Sequence, residues 1–141
     1  MSDLQGEYRH KIDAKGRLSL PADFRRALSQ DLKVTLDPLD DCLYVFEEDA
    51  FTEWVNRLFE DKGGWQASNK VMVAQRKVLN SRVRKCEVDN SGRILLSAAQ
   101  REAAGLDKEV VIIGDTDHFE IWDANRWDEF CSKVDLSSLM S

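Results

Sequence analysis

Alternating apolar and polar residues predict two short strands near the start of the chain, separated by a polar turn. In EYRHKI (residues 7–12), Tyr8 and Ile12 share one face and cationic residues occupy the other, which is the period of a half-buried strand. The turn DAKGR follows, and RLSL predicts the second strand. Pro21 ends that strand and starts a short helix, ADFRRAL.

Two further strands and an amphipathic helix complete the first half of the chain. The segments KVTL and CLYVF predict strands joined by the acidic turn DPLDD. After them, apolar residues recur at helical spacing: Phe51, Trp54, Val55, Leu58 and Phe59. We therefore expect this helix to bury one face.

The same order of elements returns in the second half. A shift of 76 residues aligns residues 10–54 with residues 86–130 without a gap, and 11 of the 45 pairs are identical. The identical pairs include Asp13/Asp89, Gly16/Gly92, Arg17/Arg93 and Arg25/Arg101. A period of this length indicates a duplicated structural unit. The second copy ends in another amphipathic helix, with Trp127, Phe130 and Val134 at helical spacing.

The segment between the two copies predicts a connecting helix after the Gly63-Gly64 break. Its apolar residues fall near one face: Val71, Ala74, Val78, Leu79 and Val83. The pattern thus divides the chain into a first repeat (6–61), a helical connector (62–84), a second repeat (85–134) and a flexible tail (135–141).

Each repeat carries a turn with the same two shaping residues. Asp13 and Asp89 can accept hydrogen bonds from backbone N–H groups two residues further on. Gly16 and Gly92 supply the positive φ that a tight turn usually needs. The second turn has Ser91 where the first has Lys15, so it carries one cation fewer.

The composition is that of a small protein that folds without disulfide bonds or a structural metal ion. At 141 residues and 43% hydrophobic, it fits one compact domain or two small fused units. Its three cysteines, Cys42, Cys86 and Cys131, include no CxxC pair, so neither a disulfide framework nor a zinc knuckle is expected. A reducing cytosol fits best, and with no long apolar run we expect no secretion and no membrane insertion.

Charge is segregated along the chain although the net charge is −6. Residues 9–33 hold seven cations and three anions, and residues 70–93 hold seven cations and two anions. Residues 37–61 reverse the balance, with nine anions and Arg57 alone. This pattern can place a basic face on an acidic body, which is the field that attracts a polyanion.

Signals for catalysis or for a metal are weak. His10 and His118 have no carboxylate or thiolate at ligand spacing around them, so no metal and no cofactor are expected. The sequence has neither a nucleophile elbow nor a Gly-rich phosphate loop, and we expect no enzyme. The spacing of Trp54, Trp122, Trp127 and Phe130 favours core or subunit interface over an aromatic ligand box.

The sequence resembles the MraZ family from about Gly6 to Trp127. The likeness is carried by GEYRHKIDAKGRLSLPADFRRAL and by CEVDNSGRILLSAAQREAAGLDKEVVIIGDTDHFEIW, which share a D-x-x-G-R core at constant spacing. This resemblance implies an α+β fold of the AbrB-like group, a tandem duplicated swapped-hairpin β-barrel formed by two repeats in one chain. Amphipathic helices would flank the barrel.

The resemblance also implies a function. MraZ-like proteins are sequence-specific DNA-binding transcriptional regulators that form ring-shaped homo-oligomers on promoter direct repeats, upstream of the division and cell-wall cluster that their own gene opens. We therefore expect a cytoplasmic, nucleoid-associated repressor of its own cluster. Arginine offers a planar fork of donors to phosphate or guanine, and lysine offers a point charge. The expected DNA contacts are Lys15, Arg17, Arg93, Arg25, Arg26, Arg9 and Lys11.

Plainer interpretations stay open. Cations in a turn can simply be solvated, and Arg25 or Arg26 can instead pair with Asp23 or the acidic segments. A rival from another class is a protein-interaction module of the same fold without its own operator, an antitoxin-like subunit whose acidic tail region neutralises a basic partner. Retained loop arginines favour DNA, whereas co-purification of a basic partner would favour the module.

Overall fold

The computed structural model describes residues 3–141, in which two sets of elements follow the same order. The first set is β1 (Glu7–Lys11), β2 (Arg17–Ser19), α1 (Ala22–Ala27), β3 (Asp31–Leu36), β4 (Leu43–Glu47) and α2 (Glu48–Glu60). Helix α3 (Lys70–Arg82) leads to β5 (Arg84–Glu87), β6 (Arg93–Leu95), α4 (Ala98–Ala103), β7 (Glu109–Asp115), β8 (His118–Asp123) and α5 (Ala124–Ser132). The predicted duplication and the mixed α and β content are confirmed. The tail carries a 3-10 helix, Ser137–Met140.

The strands form one six-stranded sheet and one two-stranded ladder, and both are built across the two repeats. The large sheet has the order β1-β7-β8-β4-β3-β5, with antiparallel neighbours throughout and β1 and β5 as its outer strands. Strand β1 of the first repeat pairs with β7 of the second, and β5 of the second pairs with β3 of the first. Strands β2 and β6 form the separate ladder.

The DAKGR turn therefore does not join two strands of one ladder, which corrects the simplest prediction from the alternating pattern. Strands β1 and β2 diverge after the turn, because each pairs with a strand of the other repeat. The turn is closed locally, by the Asp13 N–H that donates to the Arg17 carbonyl at 3.0 Å. Sequence periodicity reports that a segment is a strand, but the pairing partner depends on the whole topology.

Apolar residues pack on both sides of the large sheet. Along β4, Leu43 and Val45 point into a core shared with the β2–β6 ladder and α1, while Tyr44 and Phe46 point into a second core. The second core contains the buried side of α2, formed by Phe51, Trp54, Val55 and Phe59 as the pattern predicts. We call the two sides of the sheet the ladder side and the α2 side.

The helix between the repeats exposes more apolar surface than expected. Helix α3 packs against the second core through Met72, Leu79 and Val83, but Val71 and Val78 are 66% and 52% exposed. The predicted helix is present, but its contact with α2 buries only part of the apolar face: Val78 lines the open cleft beside Leu58, and Val71 is exposed. None of the helices in residues 3–141 combines the length and the apolarity needed to cross a bilayer.

Helix α5 leaves its apolar residues at least partly exposed, since none of its residues is buried. Trp122 of β8 is buried and packs against Trp127 and Phe130, with ring centroids 5.3 and 4.8 Å away. Phe130 and Val134 are nevertheless more than two-fifths exposed. The aromatic prediction is thus confirmed for Trp54 and Trp122 as core, while α5 leaves part of its apolar face open.

The two loop glycines allow close backbone contact between the repeats. Gly16 has φ +87°, and its carbonyl accepts the Leu96 N–H of the other repeat at 2.8 Å. Gly92 has φ +77° and accepts the Leu20 N–H at 3.0 Å. A Cβ on Gly16 would lie 2.5 Å from the Leu96 carbonyl oxygen. Glycine is therefore required here both for the turn and for the approach of the second repeat.

Neighbouring positions on β6 provide a test of the ladder-side core. Ile94→Ala should lower the free energy of unfolding by about 2–5 kcal/mol, since it empties a site where the side chain is only 1% exposed. Leu95→Ala, at 61% exposed, should change it by less than about 0.5 kcal/mol. Urea denaturation followed by tryptophan fluorescence measures both, and equal effects would contradict the inward orientation of Ile94.

Two glycine variants distinguish backbone strain in a turn from a steric clash between the repeats. Gly63→Ala should cost about 1–2 kcal/mol, because Gly63 has φ +92° but a methyl group at this position would meet no other part of the protein. Gly16→Ala should cost clearly more, because it adds the clash with Leu96 to a similar φ. Thermal unfolding of both variants is the measurement. Similar losses of stability would show that the two repeats can separate at this point without cost.

Candidate nucleic-acid interface

The outward side of the β2–β6 ladder carries two arginines in a two-fold arrangement. Arg17 lies opposite Leu95 and Arg93 lies opposite Ser19. Since Leu18 and Ile94 point into the core, these four flanking side chains share the outward side. Along the strand direction the two arginines are separated by about 7 Å, at about 3.4 Å per residue. We call this side, together with the loops 13–17 and 89–93, the cationic face.

The first loop, residues 13–17, is organised around the carboxylate of Asp13. Its Oδ1 accepts the backbone N–H groups of Lys15 and Arg17, each at 2.9 Å, and its Oδ2 accepts Arg17 Nε at 2.8 Å. The Arg17 N–H contributes most to holding the pKa of Asp13 below its usual value. The carboxylate of Asp13 therefore faces its own loop, and its hydrogen bonds fix Arg17 at the end of that loop.

The second loop, residues 89–93, repeats this arrangement. Asp89 Oδ1 accepts the Ser91 and Arg93 N–H groups at 2.9 and 3.0 Å, and the Arg93 hydrogen bond again dominates in lowering the pKa of Asp89. Arg93 Nε lies 3.5 Å from Asp89 Oδ2, a looser contact than the one in the first loop. The second loop therefore holds its arginine less tightly and lacks the exposed lysine.

Each loop is backed by an arginine from the opposite repeat. The Arg25 guanidinium of α1 lies against Gly92, where any added side chain would collide with it. Arg101 of α4 lies against Gly16 in the same way, and its Nε donates to the Leu96 carbonyl at 3.3 Å. Arg101 was absent from the expected contacts. The identity of the pair Arg25/Arg101 under the 76-residue shift was the signal that could have found it.

The remaining predicted residues divide into two groups. The side chains of Lys15 and Lys11 are exposed and have no ion-pair partner within residues 3–141. Arg26 pairs with Asp23 on the same helix, and Arg9 Nη2 donates to Asp128 Oδ1 of α5 at 2.7 Å. The geometry therefore brings Lys15, Arg17, Arg93 and Arg25 to the two loops, whereas Arg26 and Arg9 are engaged in ion pairs outside the loops. DNA contact stays a prediction for all seven.

The sheet separates the cationic face from much of the acidic surface. Helix α2, which begins with Glu48 and Asp49, packs on the α2 side. The β2–β6 ladder contributes Leu18 and Ile94 to the core on the opposite side. The segregation of charge seen along the sequence is kept only in part, because α3 carries Lys70, Arg76, Lys77 and Arg82 on the α2 side. The field that attracts an anion is therefore local to the two loops of the cationic face.

One expectation about histidine is wrong. The sequence shows no carboxylate arranged around His118, but the structure places Asp117 Oδ1 2.8 Å from its Nδ1 and Glu120 Oε2 2.8 Å from its Nε2. Strand alternation puts His118 and Glu120 on the same side of β8, and the turn before β8 returns Asp117 to them. This cluster lies on the α2 side, where the His118 ring packs on Tyr44 and Phe46.

Comparison with known proteins covers most of the chain. The family described as "MraZ protein, putative antitoxin-like" matches residues 4–63 and 81–140, one match for each repeat. A protein of Moorella thermoacetica named "Transcriptional regulator MraZ" is 40% identical over 131 residues, covering 93% of this chain and 88% of that protein.

Two further relatives bear the same name. The Symbiobacterium thermophilum protein is 41% identical over 129 residues, covering 92% of this chain and 90% of that protein. The Lachnoclostridium phytofermentans protein is 38% identical over 125 residues, covering 89% and 84%. With a family match in both repeats and identities near 40% over nearly the whole length, this chain belongs to the MraZ family of transcriptional regulators.

Proposed function

We propose that this chain is a sequence-specific DNA-binding repressor of its own division and cell-wall gene cluster. It works as a ring-shaped homo-oligomer on promoter direct repeats, in the cytoplasm at the nucleoid. The cationic face is the contact surface. The observation that carries this proposal is the pair of Asp-x-x-Gly-Arg loops flanking one ladder, each backed by an arginine of the other repeat.

The geometry of the loops suits an extended polyanion. Arg17 and Lys15 project from the first loop, and Arg93 projects from the second at the other end of the ladder. An arginine held by Asp13 through Nε keeps its two terminal nitrogens for phosphate or for the edge of guanine. Both loops extend from one rigid ladder, which favours binding along a groove of the DNA. Because Lys15 has no equivalent in the second loop, the first loop is the stronger contact.

We infer that the exchange of strands between repeats is the swapped-hairpin arrangement of the AbrB-like group. Its support is the pairing of β1 with β7 and of β5 with β3, together with the shared β2–β6 ladder. In this proposal one chain provides both halves of a barrel-like DNA-binding unit. The limits of the repeats at residues 6–61 and 85–134, with a connector at 62–84, belong to the same inference.

Self-association is supported by apolar surface that the chain leaves uncovered. Val71 and Val78 of α3, and Phe130 of α5 with Val134 beyond its end, are all exposed. These residues lie on α3, on α5 or just beyond α5, outside the β2–β6 ladder, so contacts through them leave the cationic face accessible. A ring would then present several loops to repeated half-sites, and the linkage would raise the effective concentration of each weak contact.

An acidic cleft favours a second candidate, an antitoxin-like module that binds a basic protein. Its volume is about 470 Å³, and its lining includes the carboxylates of Asp31, Glu47, Glu48, Asp49, Glu53 and Asp117. Such a module would not depend on Arg17. A basic partner that co-purifies equally well with the wild type and with Arg17→Ala would favour this candidate over DNA binding.

Arg17→Ala should weaken binding to the DNA upstream of the protein's own gene by at least about fivefold, since a well-placed arginine is worth about 1–3 kcal/mol of recognition. Stability should change by no more than about 1 kcal/mol, because the ion pair with Asp13 is partly exposed. Fluorescence anisotropy measures the affinity, and a thermal melt measures the stability. Arg101→Ala should also weaken binding, through loss of the guanidinium beside the first loop.

Two control variants define the result. Arg93→Ala should weaken binding less than Arg17→Ala, because its loop has Ser91 in place of the lysine. Lys133→Ala removes one cation from an exposed ion pair with Glu129 just beyond α5, and should leave the affinity unchanged. Wild-type affinity in Arg17→Ala, or an equal loss in Lys133→Ala, would show that the first loop is only a turn.

Operator spacing tests the multivalent part of the proposal. Moving one direct repeat by about 5 bp rotates it by about half a helical turn, so that a second protomer would face the wrong side of the duplex. Binding should then fall steeply, while moving it by about 10 bp should restore much of the affinity. Light scattering on the same preparation should show a multimer. Affinity independent of spacing, or a monomer at micromolar concentration, would exclude the ring.

A further inference from the structure

A compact set of metal-ligating side chains lies around the β7–β8 turn, apart from the cationic face. Asp115 ends β7, and His118 and Glu120 lie on β8. The turn between the strands places Asp115 directly opposite His118 in the ladder. Strand β1 pairs with β7 from Ile113 to Glu109 and leads to the first loop at the Glu109 end. The cluster and the first loop therefore lie at opposite ends of β7.

The three side chains converge on a common point. One ligand atom from each of them lies within 4.8 Å of those of the other two. His118 Nε2 is 2.8 Å from Glu120 Oε2 and 3.8 Å from Asp115 Oδ2. Ligand atoms bonded at about 2.1 Å to one ion in tetrahedral or octahedral geometry lie roughly 3.0–3.4 Å apart. Small side-chain adjustments therefore suffice for all three to bind one cation.

A set of outer contacts orients these ligands. Asp117 Oδ1 lies 2.8 Å from His118 Nδ1, so the imidazole directs Nε2 towards the two carboxylates. Asp117 is itself paired with Arg57 of α2. The second carboxylate oxygen of Glu120 accepts the Trp122 indole N–H at 2.9 Å. A histidine whose remote nitrogen donates to a carboxylate, and a carboxylate fixed by a further donor, are the supports that metal ligands usually have.

The charges of the cluster favour a cation. Three carboxylates, from Asp115, Asp117 and Glu120, surround His118, and of these Asp117 is paired with the guanidinium of Arg57. With a neutral imidazole, two negative charges are uncompensated, and the side chains of His118 and Glu120 are more than nine-tenths buried. Burial of uncompensated charge is costly unless a proton on His118 or a bound cation offsets it.

We propose that Asp115, His118 and Glu120 form a binding site for one divalent transition-metal ion. A mixed imidazole and carboxylate donor set suits Zn²⁺, Mn²⁺, Fe²⁺ or Co²⁺ better than Mg²⁺ or Ca²⁺, which prefer oxygen alone. The Asp115 side chain is 60% exposed, which provides an entrance from solvent. The bound ion replaces the proton on Nε2 and ties the β7–β8 turn to α2 through Asp117 and Arg57.

This proposal does not rest on DNA binding. The alternative is that the same side chains form a metal-free cluster. In that cluster, a protonated His118 bridges Asp117 and Glu120 as an ion-pair network. The two differ in the role of Asp115, which is a ligand in the first case and a mostly exposed neighbour in the second. Asp115 is therefore the residue to change, since its substitution leaves the His118 contacts with Asp117 and Glu120 and the Trp122–Glu120 hydrogen bond in place.

The experiment uses the full chain carrying Cys131→Ser, because the exposed Cys131 thiol can bind metal by itself. After treatment with a chelator and dialysis, the protein is titrated with Co²⁺ by visible absorption and with Zn²⁺ by calorimetry. We expect one ion per chain, and a Zn²⁺-dependent rise in the unfolding midpoint. Asp115→Asn should weaken binding by at least about tenfold. Its unfolding midpoint without metal should stay close to that of the parent.

Asp128→Asn is the matched control, since it removes one exposed carboxylate that pairs with Arg9 and not with the cluster. It should bind metal with the affinity of the parent. Absence of Co²⁺ or Zn²⁺ binding to the parent overturns the proposal and leaves the imidazolium network as the role of His118. Equal affinity in Asp115→Asn and in the parent also overturns it, because the metal would then be bound elsewhere.

Discussion

The exchange of strands between the two repeats is the constraint on which the rest of this structure depends. Neither repeat completes a sheet by itself, since β1 finds its partner in β7 and β5 finds its partner in β3. The ladder of β2 and β6 likewise takes one strand from each repeat. Most of the ladder-side core is therefore buried only when both repeats are folded together, and the duplicated sequence forms one cooperative unit.

The same exchange produces the cationic face. Because β2 and β6 run antiparallel, the two equivalent loops emerge at opposite ends of one ladder. The carbonyls of Gly16 and Gly92 accept hydrogen bonds from the opposite repeat, so the loops cannot move independently of the ladder. Arg25 and Arg101 then reach the loop of the opposite repeat. A rigid pair of donors at fixed separation is the arrangement that a repeated polyanion can match.

The sheet also affects how charged side chains are distributed over the surface. Lys15, Arg17, Arg25 and Arg93 lie at the loops on the ladder side, while acidic α2, basic α3 and the His118 cluster lie on the other. A protein of net charge −6 can then present a local positive surface at the two loops, because the sheet and its two cores keep these cations away from most of α2. The hydrogen bonds that Asp13 and Asp89 accept keep both carboxylates ionised and occupy them with N–H groups of their own loops.

The sequence by itself determined the elements, their duplication and the chemistry of the loops, because these depend on local periodicity and on residues such as Gly16 and Arg17 that have few conformational substitutes. Tertiary structure alone decided the pairing partners, since the alternation that identifies β1 is satisfied equally by β2 or β7. It alone placed Arg101 beside Gly16 and gathered Asp115, His118 and Glu120, because these contacts follow from the turn and the opposite repeat. It also turned Val71 outward, since the face of α3 is set by its contact with α2 and not by its own pattern.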